Sequence, residues 1–425
     1  MTAPTARTPA LRMPPAGLSP DPCFEPVTRL PLPSSRDRIR VVELLATGTS
    51  GGAQEHVYNL VTRIDRERYE VSVLALSGGP GVRRIEKTGV SVCVLDEMSD
   101  DEAIEAVASH LQAVKADVVH NHMYRAEVVG TRAAWLLAAA GLPRPFVVGT
   151  VHSSRVRSAE DRDLVRRLTP RMDHLIAVSR AIVRKIEDEG RVGAPISLIY
   201  NGVDLARYAE QEVCCTLHNE YGIPAGAQVV GVVARLEPEK GHPTLLEAWP
   251  GVLEAVPDAH LLIVGEGTQR EALEGQATAL GLMRGWASDP AGGQTGPAVT
   301  FTGRRDDVPA VTAALDIAVL PSYREAQGLS ILEAMALSRP VIASAVGGIP
   351  EMIDHGRTGL LVPPHDPDAL AASLIRLLTD HPYADTIGRA GHDLVHERFC
   401  VELMVRAVET IYDEAVADER RLAAG

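Results

Sequence analysis

Two carboxylates, Glu325 and Glu333, bracket the run Glu-Ala-Gln-Gly-Leu-Ser-Ile-Leu-Glu. The apolar stretch Ile317–Leu320 leads in and Val341–Ser344 leads out, a pattern that predicts strand, loop, helix and strand. Open parallel sheets bind ligands at the carboxyl ends of their strands, and the loop falls there. Glu325 then sits in the loop and Glu333 about one and a half turns inside the helix. Between them, Gln327, Gly328, Leu329 and Ser330 present backbone N–H groups that no helical carbonyl can take, a cradle for phosphate. An anion cradle flanked by two hydroxyl-seeking carboxylates suits a sugar nucleotide.

Cations come from a second place. Arg235 and Lys240 follow the apolar run 229–234, five positions apart across a turn. Two cations there can neutralise a departing diphosphate. A merely solvated pair explains them less well, because the dipole of a helix start disfavours positive charge. Gly51-Gly52-Ala53 follows the first apolar run and precedes a helix, so backbone can approach a phosphate or sugar closely. Gly48 precedes it, but the full dinucleotide spacing is missing, which counts against hydride transfer. His152 closes the apolar run 147–151, and His120 and His122 flank Asn121 at another strand end. These histidines lack convincing zinc spacing. Asp161-Arg162-Asp163 and Asp366-Pro367-Asp368 imitate a metal motif but stand where helices start, where Asp caps. Neither a metal nor a cofactor is expected.

These residues need a scaffold. Short apolar runs alternate with helical patterns from Ile39 onward, and the alternation restarts at Val229, which predicts two parallel sheets covered on both faces. The 425 residues exceed one ordinary core. The division expected is a Pro-rich tail without order (1–37), a first Rossmann-like domain (38–200), a hinge region (201–224), a second Rossmann-like domain (225–398) and a terminal helix (399–425). That helix could pack on either half. Residues 286–297, rich in Gly and Pro, read as an inserted surface loop.

Composition excludes several classes. A net charge of −14 and 4% aromatic residues argue against a nucleic-acid partner. The acidity is concentrated in the second half, while the first is near neutral. Five cysteines, odd in number and without ligand spacing, read as reduced thiols. With no membrane-spanning run and no signal segment, a cytoplasmic protein is expected. Between Arg155 and Arg191, ten basic residues are interleaved with seven acidic ones. They could offer a face to anionic lipid headgroups, as a peripheral contact at the inner face of the membrane; the interleaving favours a mixed solvated surface.

Taken in order, several motifs resemble one family. They are Asn201-Gly202-Val203-Asp204, Val233-Ala234-Arg235-Leu236-Glu237-Pro238-Glu239-Lys240-Gly241 and Gly265-Glu266-Gly267, then the Glu325/Glu333 pair. Gly347-Gly348-Ile349-Pro350-Glu351 and Gly356-Arg357-Thr358-Gly359-Leu360-Leu361-Val362-Pro363 follow. Over residues 39–415 the chain resembles the retaining GT-B glycosyltransferases of family 4. The resemblance implies an α/β fold of two Rossmann-like domains facing a cleft, and transfer of a sugar from a nucleotide diphosphate sugar to an acceptor hydroxyl. It implies that Arg235 and Lys240 contact the pyrophosphate, that Glu333 takes the ribose hydroxyls, and that Glu325 takes those of the transferred sugar. It further implies that Gly51 and Gly52 close over the donor and that His152 lies near the reacting carbon. His122 is the candidate lining residue on the acceptor side. The family also suggests a UDP-sugar donor, a saccharide or lipid-linked acceptor, and a place in polysaccharide or glycolipid assembly. Two departures stand out: Ser153 follows His152 where the family has glycine, and Ala326-Gln327-Gly328 replaces a Gly-Phe-Gly or Gly-Phe-Pro run. An epimerase of similar architecture and a silent binding subunit are the alternatives, and both sit poorly with the intact Arg235, Lys240, Glu325 and Glu333.

Overall fold

The computed structural model describes residues 38–155, 157–209, 216–224, 226–283 and 298–423. The expected tail and the loop at 286–297 lie outside these residues. The first sheet holds β1 (Ile39–Leu45), β2 (Tyr69–Ala75), β3 (Ser91–Val94), β4 (Val118–His122), β5 (Phe146–Val151), β6 (His174–Ala177) and β7 (Ile196–Leu198). The second holds β8 (Gln228–Val233), β9 (Ala259–Val264), β10 (Val299–Gly303), β11 (Ile317–Leu320), β12 (Val341–Ser344) and β13 (Leu360–Val362). Their spatial orders are β3-β2-β1-β4-β5-β6-β7 and β10-β9-β8-β11-β12-β13, with every pairing parallel. Each sheet therefore reverses its winding once, between β1 and β4 and between β8 and β11. Crevices at such reversals, outside the carboxyl strand ends, are where doubly wound sheets take ligands.

Aspartates pin the amino ends. Asp117 accepts from the Arg40 N–H at 2.8 Å, Asp173 from that of Val147 at 2.7 Å, and Asp316 from that of Val229 at 2.6 Å. Each fixes the start of one strand against its neighbour, so register is set at the end opposite the ligand. Both sheets bury apolar side chains on both faces, as helices on each side require.

The chain crosses between lobes at residues 202–203 and returns at 399–401. The crossings pair with each other: Val203 N–H donates to Phe399 O at 2.8 Å and Val401 N–H to Val203 O at 3.0 Å. A Cβ on Gly202 would lie 2.4 Å from the Val401 Cα, so only glycine permits this approach. Past the first crossing, Tyr208, Leu217 and Ile223 pack into the core of the second lobe. The last helix, Val401–Ala423, returns to the first lobe, burying Met404, Val405, Val408, Ile411 and Tyr412 against β1 and the helix Gly52–Arg63. The helix His381–Arg398, which the sequence reading had not singled out, covers the second lobe.

Among the described residues no helix is long and apolar enough to cross a membrane. In the basic stretch, Arg157 and Lys185 share Glu189, Arg166 and Arg167 share Asp163, and Arg191 is buried on Glu127. Two of the interleaved acids thus hold four of these cations, and Glu127, from outside the stretch, holds the fifth.

Candidate active site

The loop after β8 runs through the 3₁₀ turn Pro238–Lys240 to Gly241, which caps the helix His242–Ala255 at φ 69°. A Cβ there would stand 1.9 Å from the Pro321 carbonyl oxygen. Glycine thus lets the loop after β8 press on the loop after β11, and Tyr323 N–H donates to Glu239 O at 2.8 Å. The contact brings Lys240 Nζ to 2.5 Å from Glu325 Oε2, an oxygen that also accepts from Ser322 Oγ at 3.3 Å. Gly347, at φ 54°, lets the loop after β12 lie on the Glu325 backbone, because a Cβ would fall 1.7 Å from its carbonyl oxygen. Arg235 is more exposed and pairs with Glu239 at 3.0 Å.

Helix Leu329–Ala336 starts at Gly328, whose φ of 96° needs glycine, and no side chain caps it. Its first amides therefore have no side-chain acceptor. The Gln327 carboxamide turns away from them. Its Oε1 accepts from the N–H and Nδ2 of Asn201, each at 2.8 Å, and its Nε2 donates to Asn201 O at 3.0 Å. Glutamine in place of the family's phenylalanine therefore ties the cradle to the strand-end residue where the lobes meet.

Glu333 is half-buried beside the buried hydroxyl of Tyr208. Burial pushes its carboxyl up to about 7, the charge of Glu55 adds to this, and Arg207 opposes it. Glu55 belongs to the first lobe and holds Arg84 and, at 3.1 Å, Arg207. Close by, Gly52 approaches the start of the cradle helix, since a Cβ there would contact Leu329 Cδ1 at 3.4 Å. The structure therefore brings Gly52, Lys240, Glu325, Gly328, Leu329 and Glu333 to one crevice, with Arg235 at its rim.

The first lobe supplies a histidine cluster. His120 and His122 are fully buried at the carboxyl end of β4, beside Glu43 of β1. His122 Nε2 lies 2.7 Å from Glu43 Oε2, and its Nδ1 lies 3.0 Å from His152 Nε2. The ring proposed to line the acceptor side is thus beneath His152, with both nitrogens engaged. His56 Nδ1 meets Asn201 Oδ1 at 2.8 Å, which links the cluster to Gln327. Two groups, His56/His122/His152 and Glu43/His120/His122, each bring ligand-type atoms within 4.8 Å of one another. A metal at either would have to displace hydrogen bonds already made by His122.

Sequence reasoning missed Glu43, His56, Arg207, Tyr208 and Tyr412. For Glu43 a signal existed: a carboxylate in the middle of a strand buried on both faces needs a dedicated partner. Tyr412 and Arg207 gave none, because their partners lie far away in sequence.

Burial depresses His56, His122, His242 and His260 to about 4; Lys240 adds to the effect at His242, and Glu43 opposes it at His56 and His122. An unfolded histidine titrates near 6.5, so the unfolded state takes up protons first as pH falls. The stability these groups confer is complete above pH 6.5 and is lost between there and about 4, by at most roughly 3 kcal/mol per histidine. Glu333, raised from 4.5, works in the opposite direction over much of this window, but singly. Urea midpoints are expected to drop steadily from pH 7 to 4.5; a flat profile would contradict these burials.

Residues 50–207 match the Glycosyltransferase Family 4 model and residues 227–380 the Glycosyl transferases group 1 model. The chain is 31% identical over 327 residues to a D-inositol 3-phosphate glycosyltransferase of Mycolicibacterium gilvum, covering 72% of this chain and 67% of that one. The chain belongs to the family 4 glycosyltransferases. It is also 28% identical over 318 residues to N-acetyl-alpha-D-glucosaminyl L-malate synthase of Bacillus anthracis, covering 74% and 79%. Anabaena HepE, solved with UDP-glucose, superposes with a TM-score of 0.76 at 26% identity, over 88% of this chain and 99% of that one. The protein is thus a GT-B glycosyltransferase.

Proposed function

We propose that this glycosyltransferase takes a UDP-sugar and passes the sugar to an acceptor hydroxyl with retention at the anomeric carbon. The observation that carries the reading is the convergence of Lys240, Glu325, Glu333 and an uncapped helix start on one crevice. The preference for uridine is supported by Anabaena HepE, solved with UDP and with UDP-glucose.

In this reading Glu333 accepts hydrogen bonds from the two ribose hydroxyls, and the amides of Gln327, Gly328, Leu329 and Ser330 hold the distal phosphate. Lys240 exchanges its ion pair with Glu325 for the pyrophosphate, and Arg235 joins it from the rim. Glu325, released, accepts from hydroxyls of the transferred sugar. The acceptor oxygen attacks the anomeric carbon on the face from which the diphosphate leaves. The glycosidic bond to phosphate breaks, the new C–O bond forms, and the departing phosphate oxygen takes the acceptor's proton. Lys240 and Arg235 stabilise the negative charge that develops on the leaving group. Gly51, Gly52 and His152 close the site from the acceptor side, and approach of the lobes keeps water out. The acceptor class we favour is a saccharide or lipid-linked hydroxyl in polysaccharide or glycolipid assembly.

A panel of nucleotide sugars screened by thermal shift tests the donor, since a ligand selective for the folded state raises Tm. Proton NMR of the product then tests the stereochemistry. A UDP-sugar is expected to give the largest shift, and the product to keep the donor's anomeric configuration. An inverted product, or a shift with every nucleotide sugar except those of uridine, would overturn the respective part.

A further inference from the structure

The hydrogen bonds around Glu43 form one chain whose donors and acceptors can be assigned end to end. Glu43 is fully buried and its carboxyl is ionised: burial opposes this, but the adjoining His120 and His122 outweigh it and hold it well below the usual carboxylate range. It can therefore only accept. Its Oε1 takes the Tyr412 hydroxyl at 2.7 Å and its Oε2 takes His122 Nε2–H at 2.7 Å. With Nε2 protonated, neutral His122 has a lone pair on Nδ1, and that lone pair accepts from His152 Nε2–H at 3.0 Å. His152 must then carry its own lone pair on Nδ1, an atom that is buried and has no partner. On the other branch, His120 Nδ1 meets the Tyr412 oxygen at 2.6 Å and its Nε2 meets Thr150 Oγ1 at 2.6 Å, so His120 is satisfied without drawing on His122.

We propose that Glu43 is a positioning residue which, through His122, fixes the tautomer and orientation of His152, so that Nδ1 of His152 is the acceptor for a hydroxyl of the bound sugar. The proposal rests on the reading of His152 as a residue that faces the reacting sugar. A buried polar atom without a partner needs an explanation, and a substrate hydroxyl supplies one. The same logic, a carboxylate holding an imidazole in one tautomer through its far nitrogen, operates in catalytic triads. Here the carboxylate reaches its target through a second imidazole. Tyr412 makes the returning C-terminal helix a part of this support, since its hydroxyl supplies one of the donors that keep Glu43 ionised in a dry site.

The test is a double-mutant cycle on turnover. Glu43→Gln keeps the shape but allows its amide to donate to His122, which reverses both tautomers. It is expected to lower kcat about 10- to 100-fold with little change in donor KM. In a His152→Ala background the same substitution is expected to cost less than threefold, because its target is gone. Equal losses in both backgrounds would show a merely structural glutamate and overturn the relay. Full activity in His152→Ala alone would instead overturn the reading of His152 beneath it. Should Glu43→Gln fail to fold, ¹⁵N-histidine NMR of the unaltered protein decides: His152 is expected as the Nε2–H tautomer, and the Nδ1–H tautomer would refute the assignment. One zinc per chain in the purified protein would refute it too, because the metal would then hold the rings.

Discussion

Replacing Lys240 by alanine is expected to lower kcat about 100- to 1000-fold, the range seen when one preorganised group facing developing charge is removed. The structure explains why this cation should matter more than Arg235. Lys240 is largely buried at the joint between the loops after β8 and β11, and Gly241 and Pro321 fix its backbone. Arg235 is half-exposed and held by Glu239 in an arrangement that water screens. Arg235→Ala is accordingly expected to cost closer to tenfold. In the free protein Lys240 neutralises Glu325, so its loss leaves that carboxylate without its cation. Because neither side chain is wholly dry, the cost to folding is expected to be about 1–2 kcal/mol, a Tm change of a few degrees. Steady-state kinetics with saturating UDP-sugar, beside a melting curve, separate the two effects. Turnover within tenfold of the parent at unchanged KM would remove Lys240 from the leaving-group role. A raised KM with unchanged kcat would make it a ground-state contact only.

Much of this arrangement was legible because it is local. Glu325, Gly328 and Glu333 lie on one strand–loop–helix unit, and the parallel-sheet rule places that loop at the crevice without reference to the rest of the chain. Arg235 and Lys240 belong to the equivalent loop of the strand beside it. The alternation of apolar runs and helices likewise gave both sheets. What stayed hidden depends on contacts between distant segments. Gln327 reads from sequence as a lost phenylalanine, and only the folded chain shows its carboxamide clasping Asn201. Glu43 looked like part of an apolar strand until His122, 79 positions on, and Tyr412, 369 positions on, met it. The destination of the last helix was open for the same reason: its apolar stripe fits either lobe, and the pairing of Val203 with residues 399–401 decides which one it meets.

The second large effect concerns Glu333 and has a sign that pH can test. In the free protein its carboxyl titrates near 7, chiefly through burial and then through Glu55 across the cleft. Ribose hydroxyls donate hydrogen bonds, which only the ionised carboxylate accepts fully, so the donor binds the deprotonated form better and lowers this pKa. Binding must then release a proton when the pH is near or below 7. The apparent affinity for a UDP-sugar, whose diphosphate has no group titrating in this range, is expected to rise about tenfold from pH 6 to pH 8 and then level off. Isothermal titration in buffers of different ionisation enthalpy measures the released proton directly. Glu333→Ala is expected to weaken UDP-sugar binding about 100-fold or more, since two hydrogen bonds to a charged acceptor are lost, and to abolish the pH dependence. Glu333→Gln separates the two contributions, because it keeps one acceptor oxygen but cannot titrate: its affinity should be flat with pH and intermediate in value. Affinity that falls as pH rises, or that is unchanged in Glu333→Ala, would place the ribose elsewhere in the cleft and leave Glu333 as a carboxyl that Tyr208 and the helix core merely tolerate.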